Sequence, residues 1–362
     1  MESNANIYIY LTLLLVLLGF IFRKSKVLFT IDLIWQIIIG GLNTYCVDWE
    51  ANEQIFQLAS KGNGSNAFIY NWLAEIFKQY GLSFVSFNFW IYLVITLIIA
   101  GVILMFAQNP TLVMSYLFIF PFTDNIVQKR GYPVIGIMIL GFAIYYFLKD
   151  KNKNQALVLF FILVLFSCGF HSSGIIFFTF IIYELIPKKY RLRIMIMYVI
   201  VGTIFRGSYS KILSIFGGSE LSNKSDLYFN QLAATSTLGH FAFWIIWQCA
   251  FLILVFYVKK HYPTKFNLFV WNINIWALVI LPLYSFNPVF ARVFRVVMIF
   301  NYIVIANSFV VNKFKIIVSG FLANIIQLGL CCLSLYVFDI SSSSVGFEQM
   351  ILWIFENNVL LH

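Results

Sequence analysis

With 61% hydrophobic and only 10% charged side chains among 362 residues, this chain lies far outside the range of water-soluble domains, in which about a quarter of residues are charged. Its formal charge of +10 is spread over short segments and forms no basic domain or recognition motif, which excludes nucleic acid as the partner. The apolar residues form continuous blocks, many close to the roughly 20 residues that cross about 30 Å of hydrocarbon, so helices rather than barrel strands are predicted.

In chain order the predicted spans are 5–22, 28–46, 84–106, 111–125, 132–148, 155–170, 172–187, 193–206, 239–258, 266–286, 291–311 and 316–338. The expected fold is all-α, a polytopic transmembrane helical bundle of about 12 spans forming a single domain over 1–362. The stretch 155–187 reads either as two short spans or as a re-entrant pair split at Gly169 and His171. Span 5–22 resembles a signal peptide in position, but its positive charges follow it, so it is read as a retained helix with its N-terminus outside.

Basic residues set the orientation. Alternate connections carry Arg23, Lys24 and Lys26; Lys149, Lys151 and Lys153; Lys188, Lys189, Arg191 and Arg193; Lys259, Lys260 and Lys265; and Lys313 and Lys315. The other connections hold most of the acids: Asp48, Glu50, Glu53, Glu75, Asp124, Glu220, Asp226 and Asp339. Short basic loops stay cytoplasmic, so the acidic set faces out.

The two long connections, 47–83 and 207–238, both belong to the outer set. Within the first, Ile69, Trp72, Leu73, Ile76, Phe77 and Tyr80 share one helical face opposite Asn71, Glu75, Lys78 and Gln79. A second short helix is expected over 49–60, with a turn at 62–66, and both helices would lie on the interface as a lid or a substrate contact. The second connection mixes Gly217, Gly218 and Ser219 with Asn223, Tyr228, Asn230 and Gln231, a composition that suits sugar binding and equally suits any polar loop. Cys46, Cys168, Cys249, Cys331 and Cys332 lack metal-ligand spacing and are expected as small packing residues without a disulfide framework.

Charge inside hydrocarbon costs about 2.5–3.5 kcal/mol on insertion scales, so each such residue needs a reason. Asp32 is expected near a basic boundary at Lys24 and Lys26, and Glu184 is expected to pair with Lys188 four residues on. Lys129, Arg130, Arg206, Arg292 and Arg295 run against the positive-inside bias. Arginine keeps its charge and presents a fork that matches phosphate oxygens, so converging arginines would bind a diphosphate; each could instead snorkel or pair with Asp124, Glu50 or Glu53. His171, in Cys168-Gly169-Phe170-His171-Ser172-Ser173-Gly174, could take a proton from a hydroxyl, donate to a phosphate, or simply cap a helix. Asp48 and Glu50 are the other candidate bases. No phosphate-binding glycine loop, zinc-protease helix or serine elbow is present, so the chain has no recognisable means of using ATP.

Several segments occur in a familiar order: Asp48-x-Glu50 after the second span, Tyr80-Gly81-Leu82-Ser83-Phe84, Gln128-Lys129-Arg130-Gly131, Phe170-His171-Ser172-Ser173-Gly174, and Arg292 with Arg295 opening a late span. Over roughly residues 1–315 this order resembles the EpsG-like branch of Wzy-type polysaccharide polymerases, with Gln128-Lys129-Arg130 where Arg-Gln is often found. The resemblance implies a GT-C-like bundle in the bacterial cytoplasmic membrane. It also implies transfer of a growing glycan from undecaprenyl diphosphate to a new lipid-linked repeat unit at the outer leaflet, making capsular or extracellular polysaccharide. No metal or other cofactor is implied, and a flippase and a chain-length regulator are the implied partners. In that reaction His171, Arg130, Asp48 and Glu50 would be catalytic, while Lys129, Arg130, Arg206, Arg292 and Arg295 would hold the diphosphate. The competing readings are a lipid-linked oligosaccharide flippase or transporter and a membrane acyltransferase that modifies glycans.

Overall fold

The computed structural model describes residues 5–59, 67–205, 238–310, 314–341 and 346–361. Among them the chain is helical, and its one sheet-like feature is an isolated antiparallel bridge between Asn43 and Asn358. The first half runs α1 (Ala5–Ile21), α2 (Lys26–Gly41), α3 (Trp49–Ala59), α4 (Phe68–Gln79), α5 (Phe84–Phe106), α6 (Pro110–Ile119), α7 (Phe122–Val127), α8 (Gly131–Leu148) and α9 (Lys153–Cys168). A 3-10 turn over Ser172–Phe177 leads into α10 (Phe178–Leu185) and α11 (Arg191–Ile204). Helices Leu238–His261, Lys265–Trp276, Ala291–Asn307, Phe314–Leu335 and Trp353–Glu356 follow.

Local chemistry sets several starts. Ser25, Ser83, Asn152 and Thr264 each accept a backbone N–H three residues on, at Leu28, Ser86, Gln155 and Asn267, which satisfies a donor the first turn leaves open. Five apolar helical stretches are long enough to cross a membrane: Phe84–Phe106, Gly131–Leu148, Leu238–His261, Lys265–Ser285 and Gly320–Ile340. The apolar helices Ala5–Ile21, Pro110–Ile119, Lys153–Cys168 and Ser172–Leu185 are shorter. The protein is therefore an all-helical membrane protein.

Two predicted spans need correction. The helix expected over 28–46 ends at Gly41, because the chain beyond it turns its hydrogen bonds to the C-terminal segment: Thr44 N donates to Asn357 O at 2.9 Å and Val359 N to Leu42 O at 3.0 Å. The helix expected over 111–125 breaks at Phe120-Pro121, where proline has no N–H to donate and its ring crowds the preceding turn. At the break, Tyr302 Oη donates to the Phe120 carbonyl at 3.0 Å.

The chain forms two compact units, Met1–Ile175 with Tyr302–His362, and Ile176–Asn301. In the first, α2 packs on α5 with the Tyr92 ring lying over Gly40, where any Cβ would collide with it. Tyr92 stacks on Tyr132 of α8 at 4.7 Å, and Tyr132 Oη bonds Thr96 Oγ1 at 2.9 Å. Small residues that let helix backbones approach closely are how apolar helices associate where solvent gives no driving force.

Asp32 sits in this unit, wholly buried, and neither carboxylate oxygen has a hydrogen-bond partner. Among the described residues it makes no hydrogen bond or ion pair with Lys24 or Lys26, the basic residues at the start of α2.

In the second unit the wholly buried Trp276 donates Nε1 to Thr179 Oγ1 at 2.9 Å, and the Asn274 and Asn301 amides bond each other at 2.6 and 3.1 Å. Glu184 pairs with Arg191 rather than with Lys188: two guanidinium nitrogens each lie 2.8 Å from a carboxylate oxygen, and Nε donates to Ile186 O at 3.0 Å. A 3-10 turn at Lys188–Tyr190 intervenes, so helical spacing does not apply across it. Both side chains are buried. Arg191→Met, which strands the Glu184 carboxylate, is expected to cost about 3–5 kcal/mol, read as a lower Tm in detergent. Glu184→Gln in the same chain should recover most of that loss; a double variant as unstable as the single one would contradict the pairing.

Candidate functional site

The site is built where the α2–α3 connection meets the turn Gln128–Arg130, all within the first unit. After α2 the chain runs through Asn43 and Cys46 to Asp48, whose φ of 64° lies in the left-handed region. Asparagine and aspartate tolerate that region better than most residues. From there α3 begins at once, and Asn52, one turn in, donates both its backbone N–H (3.1 Å) and its side-chain amide (2.6 Å) to Asp48 O. Those bonds use the amide's donor side and leave Asn52 Oδ1 to accept Arg130 Nε at 3.2 Å. The Asp48 backbone carbonyl and the Arg130 guanidinium, which the family resemblance implies belong to one site, are thus joined through one asparagine; the Asp48 carboxylate takes no part in the link.

Lys129 and Arg130 are neighbours with different fates. Lys129 is 5% exposed; its ammonium donates to Asn43 Oδ1 at 3.3 Å and lies 5.0 Å from the centre of the Trp49 ring. Burial pulls its pKa below the ordinary lysine value, opposed by the adjacent Cys46 thiol, and burial likewise pushes Cys46 up against the pull of Lys129. Arg130 is half-buried and, among the described residues, pairs with no carboxylate, Asp124, Glu50 and Glu53 included. Glu50 accepts from Tyr45 Oη at 3.3 Å and raises that phenol's pKa, while Glu53 accepts from Trp49 Nε1 at 3.2 Å. Asp124 is buried rather than displayed in a loop, and accepts Gln128 Nε2 at 3.3 Å.

His171 approaches through α4. Gly169 O accepts the N–H groups of Ile69 and Tyr70 at 2.9 and 3.1 Å, and Ile69 rests on Gly169 so closely that a Cβ there would collide with it. This anchor rotates α4 away from the expected face: Tyr70 and Ala74 are buried, whereas Trp72 and Tyr80 are exposed. Burial raises the Tyr70 phenol pKa, and the charge of Arg130 opposes the rise. The His171 ring is oriented by its own turn. Ser173 N donates to Nδ1 at 3.2 Å, so Nδ1 is an acceptor and the neutral imidazole carries its proton on Nε2.

Arg292 and Arg295 belong to the second unit, with Arg292 exposed and Arg295 buried although three residues apart; Arg206 and the sugar-binding candidates of 217–231 lie outside the described residues. Asn43, Trp49, Asn52 and Tyr70 were not singled out from sequence. For Asn52, its place four residues after Asp48 on a predicted helix was the available signal; for Asn43 there was none.

A model of the EpsG family matches residues 26–352. The chain belongs to the EpsG family. Neither a curated protein nor a solved structure matches it significantly.

Two measurements probe the site. Asp48→Gly keeps the left-handed turn and removes the carboxylate, while Asp48→Ala removes both. Ala should cost about 1 kcal/mol more in stability than Gly, with equal losses of function if the carboxylate is what matters. Lys129→Met removes a charge that burial disfavours, so it should raise Tm near neutral pH. The unfolded chain holds its lysine proton up to about 10.4, above the lowered folded value, so the native protein gains stability as pH rises through that window and the Met advantage shrinks. A Met variant less stable than the native protein at pH 7 would contradict this picture.

Proposed function

We propose that this EpsG-family protein is a membrane glycosyltransferase that polymerises undecaprenyl-diphosphate-linked oligosaccharide repeat units into capsular or extracellular polysaccharide. The observation that carries the reading is Arg130, a half-buried guanidinium held in place by a neutral amide and with no carboxylate partner among the described residues. Such a group is suited to an anionic ligand.

In the reaction, a sugar hydroxyl of the incoming unit attacks the anomeric carbon of the growing chain, forming the new C–O bond. The bond from that carbon to the diphosphate breaks, and the lipid diphosphate leaves with the electron pair. Arg130 stabilises the charge that accumulates on the leaving oxygens, a task for preorganised donors. His171 contributes as a donor through Nε2–H, since Nδ1 already accepts Ser173 N–H. That leaves the hydroxyl proton to a carboxylate. Asp48 is exposed at the site and tied to Arg130 through Asn52, with Glu50 next along the chain. The energy lies in the glycosyl diphosphate, in keeping with a chain without a nucleotide-binding motif.

The positive-inside pattern supports an outside N-terminus and a site on the outer leaflet of the bacterial cytoplasmic membrane. With the shorter apolar helices counted as crossings, the bundle is read as GT-C-like with about 12 spans. Arg292, exposed in the second unit, is the member of its pair that an anionic lipid head could meet.

In cells lacking the native polymerase, Arg130→Ala is expected to lower polymer output by about 10²-fold or more, with single repeat units accumulating, while Arg130→Lys retains part of the activity. Asp48→Asn should behave like Arg130→Ala, and His171→Ala should lose less. Full-length polymer from Arg130→Ala at normal protein level would exclude this site.

A further inference from the structure

The C-terminal residues 357–361, beyond the point where the family match ends, lie against the end of α2. They act there as a strap. Asn358 Nδ2 donates to Ile38 O and Ile39 O at 2.8 and 3.3 Å in the last turn of α2, where Ile38 O also accepts the Leu42 N–H. Asn358 Oδ1 accepts Leu360 N at 3.1 Å, and Tyr8 Oη of α1 donates to Leu361 O at 2.9 Å. With the bonds of Thr44 and Val359 to Asn357 O and Leu42 O, the strap is pinned along its length.

One side chain connects the strap to the site. Asn43 is wholly buried, and its amide nitrogen faces three carbonyls: Tyr45 O at 2.8 Å, Asn357 O at 3.0 Å and Ile354 O at 3.3 Å. Carbonyls can only accept, so this ring of acceptors fixes which end of the amide is nitrogen, and Oδ1 must point the other way. It points at Lys129, whose ammonium has Asn43 as its hydrogen-bond acceptor and Trp49 as its ring contact.

We propose that the C-terminal strap is a positioning element for the glycosyl transfer: through the Asn43 amide it holds Lys129, and with it the Gln128–Arg130 turn, in the orientation the reaction uses. Lys129 itself is too buried to touch substrate. Its role is to keep a positive charge behind Arg130 in the chain and to lock the turn that presents the guanidinium. The part in catalysis rests on the polymerase reading; the holding of Lys129 does not.

The test uses purified full-length protein with Asn358→Ala, which unpins the strap without touching Asn43 or Lys129. Labelling of Lys129 by an amine-reactive reagent, read by peptide mass spectrometry, should rise at least about tenfold, equivalent to losing one net hydrogen bond's worth of protection. The buried Cys331 thiol should stay unreactive, reporting an intact fold. Asn43→Ser cuts the same link from the other side and should give the same result, which decides the matter if Asn358→Ala exposes Cys331. Polymer formation should fall, and its alkaline limb should move to higher pH as water reaches Lys129, with Cys46 the titratable neighbour. Mere destabilisation would lower activity at every pH without moving the limb.

Lys129 equally protected in both variants would overturn the proposal, and so would exposed Lys129 with unchanged polymer and pH profile. Failure of the polymerase reading looks different: Arg130→Ala would then leave polymer intact whatever the labelling shows.

Discussion

A lysine ammonium placed where it is 5% exposed is the constraint around which this part of the molecule is organised. Taking a charge out of water is costly unless hydrogen bonds and nearby electron density replace the lost hydration. Around Lys129 the replacements are an amide oxygen, an indole face and a thiol, none of them a formal anion in its ordinary state. The arrangement therefore supplies no countercharge to the protonated ammonium. A buried carboxylate would have been the simpler stabiliser, but it would also have cancelled the field beside Arg130.

The same economy extends outward from the lysine. Asn43 can face it because carbonyls of the C-terminal segment and of Tyr45 occupy the other end of the amide. Trp49 lies over it because Asp48 adopts a left-handed turn that starts α3 at the next residue. Asn52, one turn along α3, then has its oxygen free for Arg130. Two adjacent basic residues are held by two buried asparagines, so a single short turn carries both a buried cation and a half-buried one. The Glu184–Arg191 pair in the second unit is the contrast: there the charges neutralise each other and the result is a clamp on a turn.

Much of the helical plan was legible in the sequence because it depends on near neighbours. The span 84–106 and the two helices between α2 and α5 follow from apolar runs and 3.6-residue periodicity, and they appear where those patterns place them. What was not legible depends on distant partners. The early end of α2 reflects residues more than 300 positions away, as the Asn43–Asn358 bridge shows. The rotation of α4, which exposes Trp72 and buries Tyr70, follows from the Gly169 carbonyl capping its first turn, an interaction no pattern within residues 67–80 encodes. Arg130 and Asp48 were identifiable as unusual charges, yet their connection ran through Asn52, a residue whose polar side chain fits any helix surface. His171 was visible as a candidate, but which of its ring nitrogens is left for a ligand depends on the turn that occupies Nδ1.

We propose that this site neutralises a departing lipid diphosphate while a sugar hydroxyl takes its place. The most direct measurement reconstitutes the purified protein in phospholipid vesicles with a polyprenyl-diphosphate-linked oligosaccharide and no nucleotide, then resolves the lipid-linked glycans by mass. The account predicts a ladder of lengthened glycans, with one polyprenyl diphosphate released for each new linkage. Recovery of the substrate at its original length, even if it has moved across the bilayer, would contradict it.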